Sequence, residues 1–294
     1  MKTAPKPVPL PPRAPDWLAG LWRREAIEFP DGTADRATRV LWGQTRTLYV
    51  DLRIPADRPS GRGRQSFEDF TDAELLRLAD QKGFAGHILM NGDLCTWVRY
   101  IDYRPATGRP DSGRLRLEGE TLYEEGDPTS VSASAYRETF RRERRADRRS
   151  VALRRILEVT EGKTAAASGD AVLLLIDNRF MFARGRAVEL PMAETLRDLV
   201  LAAGADRAMI HAYLDCEISF GATDGGAGWM VEASTLPFRE GRHLLPRSRI
   251  EIADQPAMLT MTGDHGTTHW QIVESTMPRA ELATLLAHSS GSER

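Results

Sequence analysis

The sequence predicts a mainly β protein of two tandem antiparallel β-barrels, each carrying one short helix. Three observations lead there. Short runs of alternating apolar and polar residues recur between clusters of Gly, Pro, Asp and Asn, as antiparallel strands joined by tight turns require. The second half of the chain echoes the first in its order of helix, strands and turns. Finally, 294 residues suffice for two domains of ordinary size, each burying its own core without disulfides.

Residues 1–15 are dense in proline, which locks φ and removes hydrogen-bond donors, and they read as an extended, disordered tail. The N-terminal barrel is assigned to 16–148 and the C-terminal barrel to 149–294. Strands begin with GLWRREAIEF, RATRVLWGQ and TLYVDLRI, and Asp31-Gly32 is a hairpin turn because both residues tolerate positive φ. Thr71-Asp72-Ala73-Glu74 matches a capping box, and Leu75, Leu76, Leu78 and Ala79 continue at helical spacing towards a stop at Gly83. LCTWVRYIDY, RLRLEGETLY, AYRETFRRE, VALRRILEVT and AVLLLIDNRFMF follow as strands.

In the second half, residues 191–203 read as a helix ended by Gly204. AMIHAYLDCEISFG reads as a strand in the place of the one around Cys95, and WMVEASTL echoes RLRLEGETL. RSRIEIAD, AMLTMTGD and THWQIVES close the pattern, before the helix-like RAELATLLAH. Matching Ala73 with Ala193 and Thr121 with Thr235 keeps the echoes collinear, which reads as an internal duplication.

Composition excludes several classes. Hydrophobic residues make up 41% and charged residues 28%, with a formal net charge of −2, so no whole-molecule field steers a partner. No apolar stretch approaches the roughly 20 residues a membrane helix needs. The N-terminus also lacks the apolar core of a signal peptide, so a cytoplasmic location without a membrane partner is expected. Cys95 and Cys216 sit in apolar, strand-like runs and read as buried hydrophobes rather than a disulfide pair. Residues 141–155 hold eight arginines. Neighbouring carboxylates (Glu124, Glu125, Asp127, Glu143, Asp147) dilute their field, and no aromatic residues interleave for base stacking. A solvated or interdomain ion-pair face is expected there, not a nucleic-acid partner. No glycine-rich phosphate loop, G-x-S-x-G elbow or CxxC pair is present, and no cofactor is expected. The glycine-dense residues 221–228 read as a hairpin connection.

Gly20-Leu21-Trp22, followed by a strand meander with one short helix, resembles the glycine-x-tryptophan signature on the first strand of lipocalins and other calycins. The resemblance implies that the tryptophan closes one end of a barrel whose interior binds a small, usually apolar molecule. Lipocalins are typically single secreted barrels with disulfides. This doubled chain therefore looks closer to the intracellular double-barrel calycin-like proteins.

Alternation sets Tyr49, Asp51 and Arg53 on one face of their strand and Leu48, Val50, Leu52 and Ile54 on the other. Trp42 and Gln44 share a face, as do Trp97, Arg99 and Ile101. If the polar face points inward, Trp42, Tyr49, Trp97 and Tyr100 supply aromatic surface, and Gln44, Asp51, Arg53 and His87 supply directional groups. If it points outward, Asp51 and Arg53 are surface charges and the barrel is filled by its own side chains. The favoured function is binding of a small apolar or aromatic ligand in the N-terminal barrel. The alternative is a cofactor-independent isomerase or lyase with His87 and Asp51 as an acid/base pair. A structural or partner-binding protein would instead need filled barrels and an exposed apolar patch. His211 follows a helix stop as His87 does. Asp264, His265 and His269 lack a third ligand at recognisable spacing, so no metal is expected.

Overall fold

In the first half the alternating segments close on themselves. Strands β1 (Gly20–Glu28), β2 (Ala34–Asp35), β3 (Arg39–Gln44), β4 (Tyr49–Ile54), β5 (Lys82–Asn91), β6 (Leu94–Asp102), β7 (Asp111–Glu118), β8 (Thr121–Gly126) and β9 (Arg137–Arg145) form one antiparallel sheet. β9 returns to pair with β1, from Gly20 opposite Arg145 to Glu28 opposite Arg137. Eight strands thus make a closed barrel without free edges, and β2 hangs from β1 alone. Two bulges in the β1–β9 pairing supply local bending. Gly32, with φ of 84°, makes the β1–β2 turn at the expected Asp31-Gly32.

This computed structural model describes residues 7–127, 135–146, 149–160, 163–165, 170–224, 228–245, 249–253, 257–263 and 266–287. Asp264, His265, His288 and the middle of the glycine-dense connection lie outside the described residues.

The second half contains β10 (Ser150–Thr160), β11 (Lys163–Ala165), β12 (Ala171–Ile176), β13 (Arg179–Arg184), β14 (Glu217–Asp224), β15 (Gly228–Ser234), β16 (Arg249–Ala253), β17 (Met258–Gly263) and β18 (Gly266–Ser275). Its strand order is β15-β14-β13-β12-β10-β18-β17-β16, with β11 pairing β10 alone. The connections repeat those of the first sheet, but among the described residues β15 and β16 do not pair. The expected second barrel is therefore an open sheet. The chain after β15 takes up its free edge instead: Val231 N–H donates to Arg242 O at 2.9 Å and Leu244 N–H to Trp229 O at 2.7 Å.

Three apolar clusters result. Trp22, Trp42, Tyr49, Phe84, Trp97 and Phe140 pack inside the barrel. Leu153, Leu173, Phe180, Trp229, Leu259 and Trp270 pack on one face of the second sheet. The third cluster joins the halves: Leu41, Leu48, Val50 and Leu52 meet Ile176, Met181, Ile218 and Phe220. Strand β4 is therefore a shared wall, with Tyr49 and Asp51 inward and Val50 and Leu52 against the second sheet. Gly43 and Gly83 sit where the halves approach closely. A Cβ at either would stand 2.7 Å from Met181 Sδ or Ile218 Cδ1 respectively.

Helix α1 (Asp72–Leu78) has the expected capping box, Thr71 Oγ1 accepting from Glu74 N–H and Glu74 Oε2 from Thr71 N–H. It ends at Leu78, however, and Gly83 belongs to β5. Helix α2 (Leu196–Ala203) begins later than expected, because Thr195 and Asp198 form its capping box, and Gly204 ends it with φ of 59°. Residues 208–214, expected as strand, lie in helix α3 (Arg207–Leu214), capped by Asp206 and burying Ile210 and Leu214, four apart on one face. The strand around Cys216 is therefore β14, which occupies the place of β5, and WMVEASTL is β15, in the place of β6 rather than β7. A last helix, α4 (Arg279–Ala287), buries Leu282 and Leu286 on the second cluster.

Cys95 and Cys216 are both free and buried. Residues 7–15 carry no helix or strand, but Val8 exchanges two hydrogen bonds with the Gln271 side chain on β18, at 2.9 and 3.0 Å. No helix among the described residues is long and apolar enough to cross a membrane.

Candidate functional site

The polar face of β4 points into the barrel. There Asp51 and Arg53, with Trp42 from β3 and Trp97 and Arg99 from β6, line a cavity of about 380 Å³. Phe84 and Lys82 from β5, Asp111 from β7, Glu124 from β8, and Tyr136 and Glu138 near the start of β9 complete its walls, with Ile27, Phe29 and Arg104. The aromatic faces come from alternation: Trp42 stands edge-on to Trp97 at 6.0 Å between ring centres and to Phe140 at 5.7 Å.

The charges are organised rather than scattered. Arg53 donates through Nε to Asp51 Oδ1 at 2.8 Å and through Nη1 to Glu138 Oε1 at 2.8 Å. Arg24 donates to the same Glu138 oxygen at 2.7 Å and to Asp35 at 2.8 Å. Asp51, Glu138 and Arg24 are almost wholly buried, so this chain holds charges that would be costly alone. Arg99 pairs with Asp102 and Asp111, and its guanidinium lies 3.8 Å from the centre of the Phe84 ring. Tyr136 Oη donates to Glu124 Oε1 at 2.7 Å.

Burial, with Glu138 nearby, pushes Glu124 up to about 8, against the opposing effects of Arg53 and the Tyr136 hydroxyl. Burial also raises Asp51, with Arg53 opposing. Two buried donors in the barrel, Trp42 Nε1 on the cavity wall and Tyr49 Oη in the apolar interior beside it, have no hydrogen-bond partner among the described residues.

Trp42, Asp51, Arg53 and Trp97 are thus brought together in the cavity, and Tyr49 packs beside Phe84 in the same interior, 6.0 Å between ring centres. Three other expected residues lie elsewhere. Gln44 is buried, but its Nε2 donates to Thr45 O at 2.7 Å and so caps the β3–β4 turn. A bulge in the β5–β6 pairing leaves Tyr100 without a partner between Arg99 and Ile101, which reverses the alternation. Ile101 accordingly joins the core between the halves, away from the face of Trp97 and Arg99.

Tyr100 faces His87, its Oη 2.7 Å from His87 Nδ1, and Arg154 of β10 lies 3.8 Å from its ring centre. Burial and Arg154 lower the His87 pKa. His87 therefore occupies the face of β5 opposite to Phe84 and Ile88, while Asp51 is inside and already paired with Arg53. The expected His87–Asp51 acid/base pair is not formed. His211, on α3, stacks on Phe67 at 5.4 Å, a packing position unlike that of His87 on β5.

Sequence reasoning missed Glu124, Tyr136, Glu138, Lys82, Asp111 and Arg104. Alternation held a signal for two of them: Glu124 shares the face of Leu122 on β8, and Glu138 shares that of Phe140 on β9, each a carboxylate in line with a core residue. The arginines of β9 pair with glutamates, Arg137 with Glu125 at 3.0 Å and Arg141 with Glu25 at 3.3 Å.

Trp22 is fully buried, donates from Nε1 to Leu18 O at 2.8 Å and lies under the Arg142 guanidinium, 4.4 Å from the ring centre. The tryptophan of the GLW motif is thus a buried barrel residue covered by a cation from the last strand of the barrel.

No family model matches the chain, and no curated protein matches it. Among solved structures, the chain is similar to an uncharacterized protein, YLR301w from Saccharomyces cerevisiae, at 13% identity and a TM-score of 0.52, covering 87% of this chain and 98% of that one. That likeness is one of fold alone. A lipocalin-like protein from Bacteroides uniformis matches at 14% identity and a TM-score of 0.27, over 42% of this chain and 97% of that one.

Proposed function

We propose that the N-terminal barrel is a binding site for a small molecule that combines a flat, apolar body with charged or strongly polar groups. The observation that carries this reading is the cavity itself: aromatic side chains share its walls with paired charges, and Trp42 Nε1 and Tyr49 Oη lack partners. Small-molecule sites join apolar surface to a few convergent polar groups in this way. Four basic and four acidic residues on the walls argue against the mostly apolar ligand expected from sequence. The matching strand order of the two sheets supports an internal duplication, with the open cavity of this reading in the first copy.

The isomerase or lyase alternative loses its support with the separation of His87 from Asp51. Isothermal titration of the full chain against a panel of small aromatic acids, amides and amines tests the binding reading. One-to-one binding that quenches tryptophan fluorescence is expected, and Ile27→Trp, which narrows the cavity, should abolish it while leaving the circular dichroism spectrum unchanged. Absence of binding across the panel at millimolar concentration refutes the reading.

A further inference from the structure

The charges around the cavity are unevenly matched. Arg53 is paired with Asp51 and Glu138, and Arg99 with Asp102 and Asp111 through its terminal nitrogens, its buried Nε having no hydrogen-bond partner among the described residues. Lys82 has no hydrogen-bond or ion-pair partner among the described residues. It stands opposite Arg53 on the neighbouring strand. Arg104 reaches only Asp102, at 4.0 Å, and its buried Nε has no partner. Desolvation depresses the pKa of both groups, although the Lys82 side chain keeps contact with solvent; for Lys82, Arg104 and Arg53 depress it further. Across the cavity, Glu124 holds its proton at neutral pH and so does not offset them. Lys82 and Arg104 thus line the cavity without a hydrogen-bonded carboxylate, and an anion placed between them would be stabilised locally.

Resting on the binding role proposed above, we infer that the ligand is an organic anion. Its carboxylate or phosphate oxygens lie between Lys82 and Arg104, and its flat body reaches inward to Trp42 and Trp97. Lys82 supplies a mobile point charge and Arg104 a planar donor fork, a pairing suited to either anion.

The test is isothermal titration of the full chain at low salt and pH 7 with four probes of similar shape: 2-naphthoate, 2-naphthyl phosphate, 2-naphthamide and 2-naphthylmethylamine. The anions should bind at least about tenfold more tightly than the amide, as one or two charge-assisted hydrogen bonds allow. The tighter of the two anions identifies carboxylate or phosphate as the group recognised. Lys82→Gln and Arg104→Gln should each bring anion affinity down towards that of the amide. Amide affinity should stay constant, which also shows that the variants fold. An amide that binds as tightly as the anions, or an amine that binds best, overturns the anion inference and leaves the binding role standing. Failure of all four probes at millimolar concentration overturns both.

Discussion

Glu124→Gln isolates the effect of a carboxyl group buried inside the barrel. The Glu124 carboxyl titrates at about 8 when folded, against an ordinary value of 4.5. A carboxyl that holds its proton more tightly in the folded than in the unfolded chain stabilises the fold at low pH. That stability drains away as pH rises from the unfolded value to the folded one, because the unfolded chain releases the proton first. Each pH unit inside this window costs at most about 1.4 kcal/mol, and between pH 6 and 8 the two values give a loss on the order of 2 kcal/mol. Glutamine keeps an oxygen to accept from Tyr136 Oη and cannot ionise, so the variant should lack this slope. The assay is urea unfolding of both proteins at intervals from pH 5.5 to 9, read as the difference in free energy so that histidines common to both cancel. The variant should gain on the parent steadily from pH 6 to 8. A difference that stays flat within about 0.5 kcal/mol would show that Glu124 titrates normally, and the burial argument would fail with it.

Other substitutions address separate parts of the molecule. Trp22→Ala removes a fully buried indole and its contacts with Leu18 and Arg142 and should cost about 3–5 kcal/mol in equilibrium unfolding. His87→Gln should leave ligand affinity unchanged within about twofold and cost about 1 kcal/mol or less of stability, because His87 lies outside the cavity against Tyr100. Gly61→Ala places a Cβ 1.9 Å from the backbone oxygen of Pro237, and should lower stability by about 1–3 kcal/mol in the same assay.

Period-two patterning on TLYVDLRI divides β4 correctly, because the strand is buried on both faces and each face carries its own chemistry. Periodicity alone did not say which face was inside. The polar residues point inward here because the apolar ones are claimed by the second half, through contacts between residues more than 100 positions apart, such as Gly43 and Met181. The bulge at Tyr100 is similarly silent in sequence: a single unpaired residue reverses the alternation, so Ile101 leaves the face of Trp97, whereas Tyr100, an odd number of residues from Trp97, lies opposite by alternation alone. Gln44 resembled a cavity residue because it shares parity with Trp42, but it lies at the strand end, where the turn's carbonyls claim its amide. Residues 208–214 read as a strand because AMIHAYLD alternates over a few positions. Asp206 capping Met209 N–H and the four-residue spacing of Ile210 and Leu214 settle it as a helix. The capping boxes at Thr71 and Thr195 depend only on neighbours three residues away, and sequence marks that kind of local element most directly.

The double duty of β4 has a consequence for how the molecule can be divided. Cut free at residue 146, the barrel would present Leu41, Val50 and Leu52 to water as a bare apolar stripe, while the remainder would expose Met181, Ile218 and Phe220. Each half thus supplies the solvent shielding that the other lacks, and a truncated piece would be driven to self-associate. Heating the whole chain should dismantle both sheets in one step rather than two, because the partition that walls the barrel cavity is also the mortar between them.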